Sequence, residues 1–308
     1  MTYGDGESLG GKYYELNRFF SAYYATEYGI SDSYRVDWIV NGTQQTWEGK
    51  GISKTEIEKT YPASQDPFSF KKVNDRTAVL KIDRFFSMKG EPDLKKFFKS
   101  SFTTLSEEGI SNLILDLRGN ERGNEKLGIE LYKYLALKPF HYYRYLSTRP
   151  NSSVDFDHHT SKIFRIANSF SKEKDGIYQF VKGSGLKLEE PHPLAFKGKV
   201  VLLLDGQSFS VTTEFASKAQ SDQRVFIIGE ETAGGAEGNS SGFFSIVTLP
   251  HSKIDLGIPR IGFHMADLGE NIDQNRGILP DEEIRPSALV ILHQKDPVME
   301  RALQLSEK

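Results

Sequence analysis

Aromatic and apolar residues recur at spacings of three and four near the start of the chain. The apolar positions of this pattern are Tyr13, Leu16, Phe19, Phe20, Tyr23 and Tyr24. This period is that of an α-helix with one apolar face, so the pattern predicts a helix over residues 12–28. The next segment, 34–40, alternates between apolar and polar residues, and Asn41-Gly42 supplies a two-residue turn after it. We therefore expect a β-hairpin to follow the helix.

From about Asn74 onward, short apolar runs alternate with amphipathic stretches. Strands are predicted by the runs 77–82, 113–115, 200–204 and 225–228, and helices by the stretches that begin at Pro92, near Leu127 and near Val211. Residues 50–73 are polar and contain two prolines, which is typical of a linker. We therefore predict an N-terminal helix-and-hairpin segment over 1–73 and a core over 74–308. Strands that alternate with helices favour an α/β core with parallel pairing.

The composition excludes several classes of protein. The 308 residues include 39 Lys and Arg against 42 Asp and Glu, a formal net charge of −3. This balance argues against general electrostatic binding of nucleic acid. No run of about 18 apolar residues occurs, so no membrane-spanning segment is predicted. Cysteine is absent, which excludes disulfides, zinc–thiolate sites and cysteine nucleophiles.

The most informative loop follows the apolar run 200–204 and leads into the helix near Val211. It contains Ser208 and Ser210. A serine at such a strand-to-helix corner lies beside the first N–H groups of the helix, where negative charge is favoured. A nucleophilic hydroxyl with oxyanion donors needs this arrangement. The alternative is that either serine only caps the helix, and the local pattern leaves both interpretations open.

Two further glycine-containing loops also follow predicted strands. Residues 116–123, which end at Gly123, can offer a second oxyanion donor, or can simply form a turn. Residues 229–238 include Gly234 and Gly235, where the backbone can approach a ligand closely. This loop lacks the Lys and the Ser or Thr of a phosphate-binding loop, so nucleotide binding there is rejected.

Three other features of the sequence are candidates for a chemical role. Ser240 lies in a Gly-x-Ser-x-Gly pattern like that of α/β-hydrolases, but a strand-like run follows where that motif requires a helix. His251 and His264 follow the serine loop in the sequence and are candidate bases. Residues 155–159 have metal-ligating side chains, but a polar loop of this kind does not need a metal. No metal or organic cofactor is predicted.

Four landmarks, in the same order, resemble those of the S41 peptidases, the tail-specific or C-terminal processing proteases. The loop that begins Asp116-Leu117-Arg118 is similar to the family's Asp-Leu-Arg-x-Asn-x-Gly-Gly loop. Residues 208–216 align without a gap with its nucleophile segment, Ser-Ala-Ser-Ala-Ser-Glu-Ile-Phe-Ala. Residues 229–234 resemble its Gly-Glu-x-Thr-x-Gly loop. Its closing signatures are matched by Leu249-Pro250 and by Gly277-Ile278-Leu279-Pro280-Asp281.

The resemblance covers about residues 74–308 and implies a crotonase/ClpP-like fold and a serine peptidase that acts on polypeptides. It implies that Ser210 is the nucleophile and that Val211 N–H and the Gly123 loop are the oxyanion donors. We assign substrate binding to Gly234 and Gly235. Bacterial members are mostly exported, so a periplasmic or secreted location is expected. The competing interpretation is a homologue that binds peptides and has lost catalysis.

The sequence also departs from the family pattern. Gly235 stands where bacterial processing proteases carry a base lysine, and Arg122 replaces the first loop glycine. Other branches use a His in an Asp-Gly-His-Thr motif, and Asp5-Gly6 onward resembles the sequence just after it. We therefore expect a truncated peptidase whose base lies upstream of this chain. Residues 1–73 would then be the trailing part of a PDZ-like region, and His251 and His264 are the alternative bases.

Overall fold

The computed structural model describes residues 7–40, 42–60, 66–150, 160–269, 273, 275–287, 290 and 295–307. Across these residues, every helix is too short or too polar to cross a membrane. The chain divides into two compact units, one formed by Met1–Tyr14 with Phe68–Lys308 and the other by Glu15–Pro67. The boundary near residue 74 that the sequence suggests stays a prediction.

The smaller unit contains most of the predicted helix and the whole hairpin. Helix α1 spans Gly10–Tyr28 and so begins in the larger unit, and strands β1, Tyr34–Val40, and β2, Thr43–Gly49, pair antiparallel. Gly42 has a φ of 76°, as a tight hairpin turn requires, and Asn41 lies outside the described residues. The prediction of a linker over 50–73 is wrong in part, because helix α2 spans Lys54–Thr60 and a strand begins at Phe68.

A six-stranded sheet forms the centre of the larger unit. Its strands are β3 (Phe68–Lys72), β4 (Thr77–Ile82), β5 (Asn112–Asp116), β9 (Lys199–Leu204), β10 (Phe226–Gly229) and β13 (Glu282–Glu283). The order is β13-β10-β9-β5-β4-β3, and every pair is parallel except β3 with β4. The predicted α/β class is thus confirmed.

Helices cover both faces of this sheet. They are α3 (Leu94–Glu107), α4 (Glu125–Lys133), α6 (Val211–Ser221) and the C-terminal α7 (Pro297–Ser306). Successive strand residues point to opposite faces: Leu202 and Leu204 join the core under α3, α4 and α6, whereas Val201 and Leu203 join the core under α7. This two-sided burial explains why the parallel strands are continuous apolar runs.

A second, antiparallel sheet packs beside the first within the larger unit. Its strands are β6 (Tyr143–Thr148), β7 (Ser171–Lys174), β8 (Ile177–Phe180), β11 (Gly238–Thr248) and β12 (Asp255–Met265), in the order β11-β12-β6-β8-β7, with α5 (Lys162–Asn168) between β6 and β7. The sequence predicts only part of β11. The first residue of β11, Gly238, pairs with His264 near the end of β12, so this end of the sheet adjoins the Gly-rich loop.

Candidate active site

The corner after β9 is organised by the carboxylate of Asp205, a half-buried residue. One of its oxygens accepts the N–H groups of Gln207 and Ser208, each at 3.0 Å, and Gly119 N–H donates to the carboxylate at 3.1 Å. Burial raises the pKa of Asp205, and these donors oppose that rise. Because Gly119 lies in the loop after β5, one carboxylate fixes both strand-to-helix loops.

The two serines of this corner have different surroundings. Ser208 is fully buried, and its hydroxyl lies 3.3 Å from Leu117 O and 3.2 Å from an Asp205 oxygen. Ser210 is half-buried and occupies the N-cap position of α6, yet its side chain makes no capping hydrogen bond. Its backbone has φ 55° and ψ −122°, a conformation that L-residues rarely adopt. Ser208 is therefore structural, and Ser210 is the serine whose hydroxyl is available for other contacts.

The loop after β5 runs alongside this corner because β5 and β9 are parallel neighbours. Phe209 N–H donates to Asn120 O at 3.1 Å, and Gln207 Nε2 donates to Glu121 Oε1 at 2.6 Å. Asn120 is buried, and its amide donates to Ile82 O at 3.0 Å. The residues that precede Ser210 and those that precede Gly123 are thus joined by backbone and side-chain hydrogen bonds.

Gly123 is held against Phe85. Phe85 N–H donates to Arg122 O at 3.0 Å, and Asn124 N–H donates to Phe85 O at 2.8 Å. A Cβ on Gly123 would lie 2.2 Å from Phe85 Cβ, so this close approach requires glycine. The bridge uses the carbonyl of Arg122 and the N–H of Asn124, which leaves the N–H of Gly123 on the opposite side of the chain.

The Gly-rich loop packs against the start of α6. Ala233 N–H donates to Ser208 O at 2.9 Å, and a Cβ on Gly234 would lie 2.6 Å from Thr213 Oγ1. Gly235 forms a β-bridge with Gly277, a residue of the closing signature. The sequence therefore identified three loops that the fold brings to one end of the parallel sheet.

The structure separates the two candidate histidines. His251 lies in the exposed turn between β11 and β12, at the far end of an 11-residue strand from the Gly-rich loop. His264 lies at the near end, stacked on Tyr145 with ring centroids 4.1 Å apart, and its Nε2 is 3.0 Å from Ser147 Oγ. Burial, with a smaller effect of Arg144, lowers the pKa of His264. Residues 155–159 lie outside the described residues.

One further acidic residue adjoins Ser210, and the sequence analysis did not predict it as part of the site. Glu214 lies one helical turn after Ser210, is fully buried, and accepts hydrogen bonds from Tyr143 Oη and Asn239 Nδ2. Burial raises its pKa to about 7. Its partners come from β6 and β11, so the contact depends on how the second sheet packs on α6.

The hydrolase interpretation of Ser240 is rejected by the fold. Ser240 lies within strand β11, and residues 243–248 continue that strand rather than forming a helix. A nucleophile elbow needs a strand before the serine and a helix after it. Ser210, by contrast, has strand β9 before it and helix α6 after it.

Comparisons with known proteins give one family and one fold. A family model described as peptidase family S41 matches residues 76–284, more than half of the chain. The structure of mature CPAF has a TM-score of 0.55 at 15% identity, covering 90% of this chain and 67% of that one. A candidate peptidase from Parabacteroides merdae has a TM-score of 0.53 at 14% identity, covering 95% and 82%.

At such identities the structural likeness shows the fold alone. A comparison with curated protein sequences gave no match.

Proposed function

Because the chain belongs to peptidase family S41, we propose that it is a serine-type peptidase with Ser210 as nucleophile. It hydrolyses peptide bonds in unfolded or C-terminal segments of polypeptides. The observation that carries this proposal is the state of Ser210: it starts a helix, has φ 55°, and makes no capping hydrogen bond. An ordinary N-cap serine instead has a negative φ, and its hydroxyl accepts an N–H of the first helical turn.

The reaction requires stabilisation of a tetrahedral oxyanion. Ser210 Oγ attacks the scissile carbonyl carbon, and the carbonyl oxygen takes up the negative charge. Val211 is the first residue of α6, so its N–H has no partner within the helix. This N–H and that of Gly123 are the two proposed donors, and the helix dipole adds to their effect. The amine leaves with a proton, and water then hydrolyses the acyl-enzyme.

A base must take the proton of Ser210. Gly235 has no side chain to supply it, unlike the lysine of the bacterial processing proteases. The family resemblance favours a His in a segment upstream of Asp5. Within the described residues, His264 is the candidate histidine next to the Gly-rich loop, and burial lowers its pKa, which favours the neutral imidazole. A neutral imidazole is the form that accepts a proton.

Mass-spectrometric cleavage of a mixed peptide pool tests the proposal. The chain would be compared with Ser210→Ala, with His264→Gln and with a version extended upstream. Ser100, an exposed serine of α3, provides the matched control variant Ser100→Ala. We expect Ser210→Ala to lower cleavage by at least about a thousandfold and Ser100→Ala to leave it unchanged.

The same cleavage assay also identifies the general base for Ser210. Cleavage by the present chain that His264→Gln removes would assign the base to His264, whereas cleavage by the extended version alone would place it upstream. Wild-type rates in Ser210→Ala would show that the nucleophile is wrong. Peptide binding without cleavage by any version would favour the homologue that has lost catalysis.

A further inference from the structure

Arg260, on strand β12, is a buried cation. It is 6% exposed, its Nη1 donates to Ser245 Oγ at 2.9 Å, and its Nη2 lies 3.3 Å from Arg149 O. The guanidinium also lies over the ring of Phe164, 5.4 Å from its centroid. Across the described ranges, these neutral groups are its partners, and no carboxylate lies within ion-pair distance of it.

A buried charge without a counter-ion is unfavourable. Arginine is almost never fully buried unless it is paired, because removing a cation from water costs more than neutral hydrogen bonds return. Burial indeed lowers the pKa of Arg260. The guanidinium has five N–H donors, and two of its nitrogens are used by the oxygens of Ser245 and Arg149. It can therefore still bind an anion.

Arg260 lines a cleft that is suited to an anion. The cleft has a volume of about 610 Å³, and a second cation, Arg149, lines it as well. The hydroxyl-bearing residues Ser147, Thr148, Tyr178 and Ser245 also line it, and its described lining contains neither Asp nor Glu. Arginine side chains bind carboxylates well, and a lining with two arginines and no described acidic residue therefore suits a carboxylate.

The cleft adjoins a second hollow that is lined by residues of the Gly-rich loop. This hollow of about 430 Å³ shares Ser147, Ser240 and Gly262 with it, and extends to His264 and Gly235. Gly235 directly follows Gly234, which packs on Thr213 of α6. Arg260 and His264 are four residues apart on β12, which is about 13 Å along a strand. An extended peptide covers this length in about four residues.

We propose that Arg260, assisted by Arg149, binds a carboxylate of the polypeptide substrate and thereby sets which peptide bond reaches Ser210. The carboxylate is either the chain terminus or an acidic side chain. The effect on the choice of peptide bond rests on the proposed peptidase function, whereas the binding of the carboxylate rests on the cleft alone.

Fluorescence anisotropy with Ser210→Ala protein tests the site without turnover. Two degenerate pools of labelled octapeptides without Asp or Glu would be compared, one with a free C-terminal carboxylate and one with a C-terminal amide. A second pair of amidated pools would carry one internal Asp or one internal Asn. We expect a carboxylate pool to bind about ten- to a hundredfold more tightly than its neutral partner. Tighter binding within the first pair would assign the site to the C-terminal carboxylate, and tighter binding within the second pair would assign it to an acidic side chain.

Variants assign the discrimination to a residue. Arg260→Gln should remove it, Arg260→Lys should keep part of it, and Arg149→Gln should weaken it. Arg285→Gln, at an exposed arginine outside the cleft, should leave it unchanged. Equal binding of carboxylate and neutral pools by the Ser210→Ala protein, or no binding of any pool, overturns the inference even if the Arg260 variants fail to fold. Discrimination that persists in folded Arg260→Gln overturns it as well.

The proposed peptidase function and the proposed carboxylate site can each be disproved without the other. Cleavage that depends on Ser210 but is indifferent to carboxylates would leave the peptidase standing without this site. Carboxylate-dependent binding that requires Arg260, with no cleavage by any version, would leave the site standing in a protein that is not a peptidase.

Discussion

At the scale of the residue, Glu214 is the group whose titration has the clearest effect on the folded state. Its carboxyl group is fully buried between α6 and the second sheet, and burial raises its pKa from 4.5 to about 7. The hydrogen bonds from Tyr143 and Asn239 oppose that rise. The folded protein therefore keeps a proton that the unfolded chain has already released.

The sign of the effect on stability follows from this difference in bound protons. Between about pH 4.5 and about pH 7, the folded state binds more protons than the unfolded state, so the free energy of unfolding falls as the pH rises. Glu214 should account for a loss of about 3 kcal/mol across this window. Denaturant unfolding at several pH values, with wild type and Glu214→Gln, measures it: the difference between the two proteins should change by this amount.

Glu283, whose side chain is 52% exposed, supplies the control variant Glu283→Gln, which should follow the wild-type pH profile. A constant difference between wild type and Glu214→Gln from pH 4.5 to pH 8 would show that Glu214 titrates normally.

The residue scale also shows what the sequence alone could not decide. The pattern of strand, glycine, serine and helix predicts the corner, but it does not separate Ser208 from Ser210. The separation depends on contacts from Leu117 O and Asp205, and on a backbone conformation at Ser210. From the sequence, only the family resemblance favours Ser210 over Ser208 as the nucleophile. Glu214 and Arg260 gave no signal, because their burial depends on packing between elements that are distant in the sequence.

At the scale of the element, the bridge between Phe85 and the loop after β5 fixes the proposed oxyanion donor. Gly123→Ala would place a Cβ 2.2 Å from Phe85 Cβ and 2.7 Å from Phe85 O, so the loop must move. We expect a loss of about 1–3 kcal/mol in the free energy of unfolding. We also expect kcat to fall more than KM rises, because the donor acts mainly in the transition state.

Gly269 is the matched glycine for this test. A Cβ added there would meet its nearest atom at 3.9 Å, so Gly269→Ala should alter neither stability nor kcat by a measurable amount. Unchanged kcat in a folded Gly123→Ala protein would remove Gly123 from the oxyanion hole.

The elements differ in how readily the sequence predicts them. Strands β5 and β9 are buried on both faces, so they are short apolar runs that the sequence predicts within two residues. Strands β11 and β12 are mostly half-buried or exposed, so polar residues and glycines interrupt their pattern. Helix α3 begins two residues after Pro92, because Asp93 caps it by accepting Lys96 N–H at 2.9 Å.

At the scale of the whole molecule, Arg118 joins the C-terminal helix to the loop after β5. Its guanidinium donates to Asp116 at 2.8 Å and to both oxygens of Asp296 at 2.8 and 2.9 Å. Asp296 is also the N-cap of α7 and accepts Met299 N–H at 3.0 Å. Because Asp116 is 3% exposed, removal of the arginine would leave a buried carboxylate without its cation.

We expect Arg118→Leu to lower the free energy of unfolding by about 2–4 kcal/mol, below the range for a fully buried pair because Asp296 is partly exposed. The exposed pair of Arg285 with Glu283 gives the control, and Arg285→Leu should cost about 1 kcal/mol or less. Chemical denaturation of both variants measures the difference. Equal losses in the two would show that Arg118 contributes no more than a surface ion pair.

The attachment of α7 illustrates the limit of prediction at this scale. The alternation of strands and helices predicts the α/β class, and the order of the loops along one sheet edge follows from parallel pairing. No sequence pattern indicates that α7 covers the face of the sheet opposite α3, α4 and α6. The contacts that place it there join Val298 and Ala302 to Val201 and Leu203, which lie almost 100 residues earlier in the chain. Such long-range packing is set by the available apolar surface and not by local sequence.

The backbone conformation of Ser210 has a consequence for any attempt to evolve this protein. A φ of 55° costs a residue with a side chain about 1–3 kcal/mol, and glycine avoids that cost. A laboratory selection for heat resistance alone should therefore enrich glycine at this position and return stable proteins that lack the proposed nucleophile. Thermal tolerance and turnover are in conflict here, so a library must be screened for both.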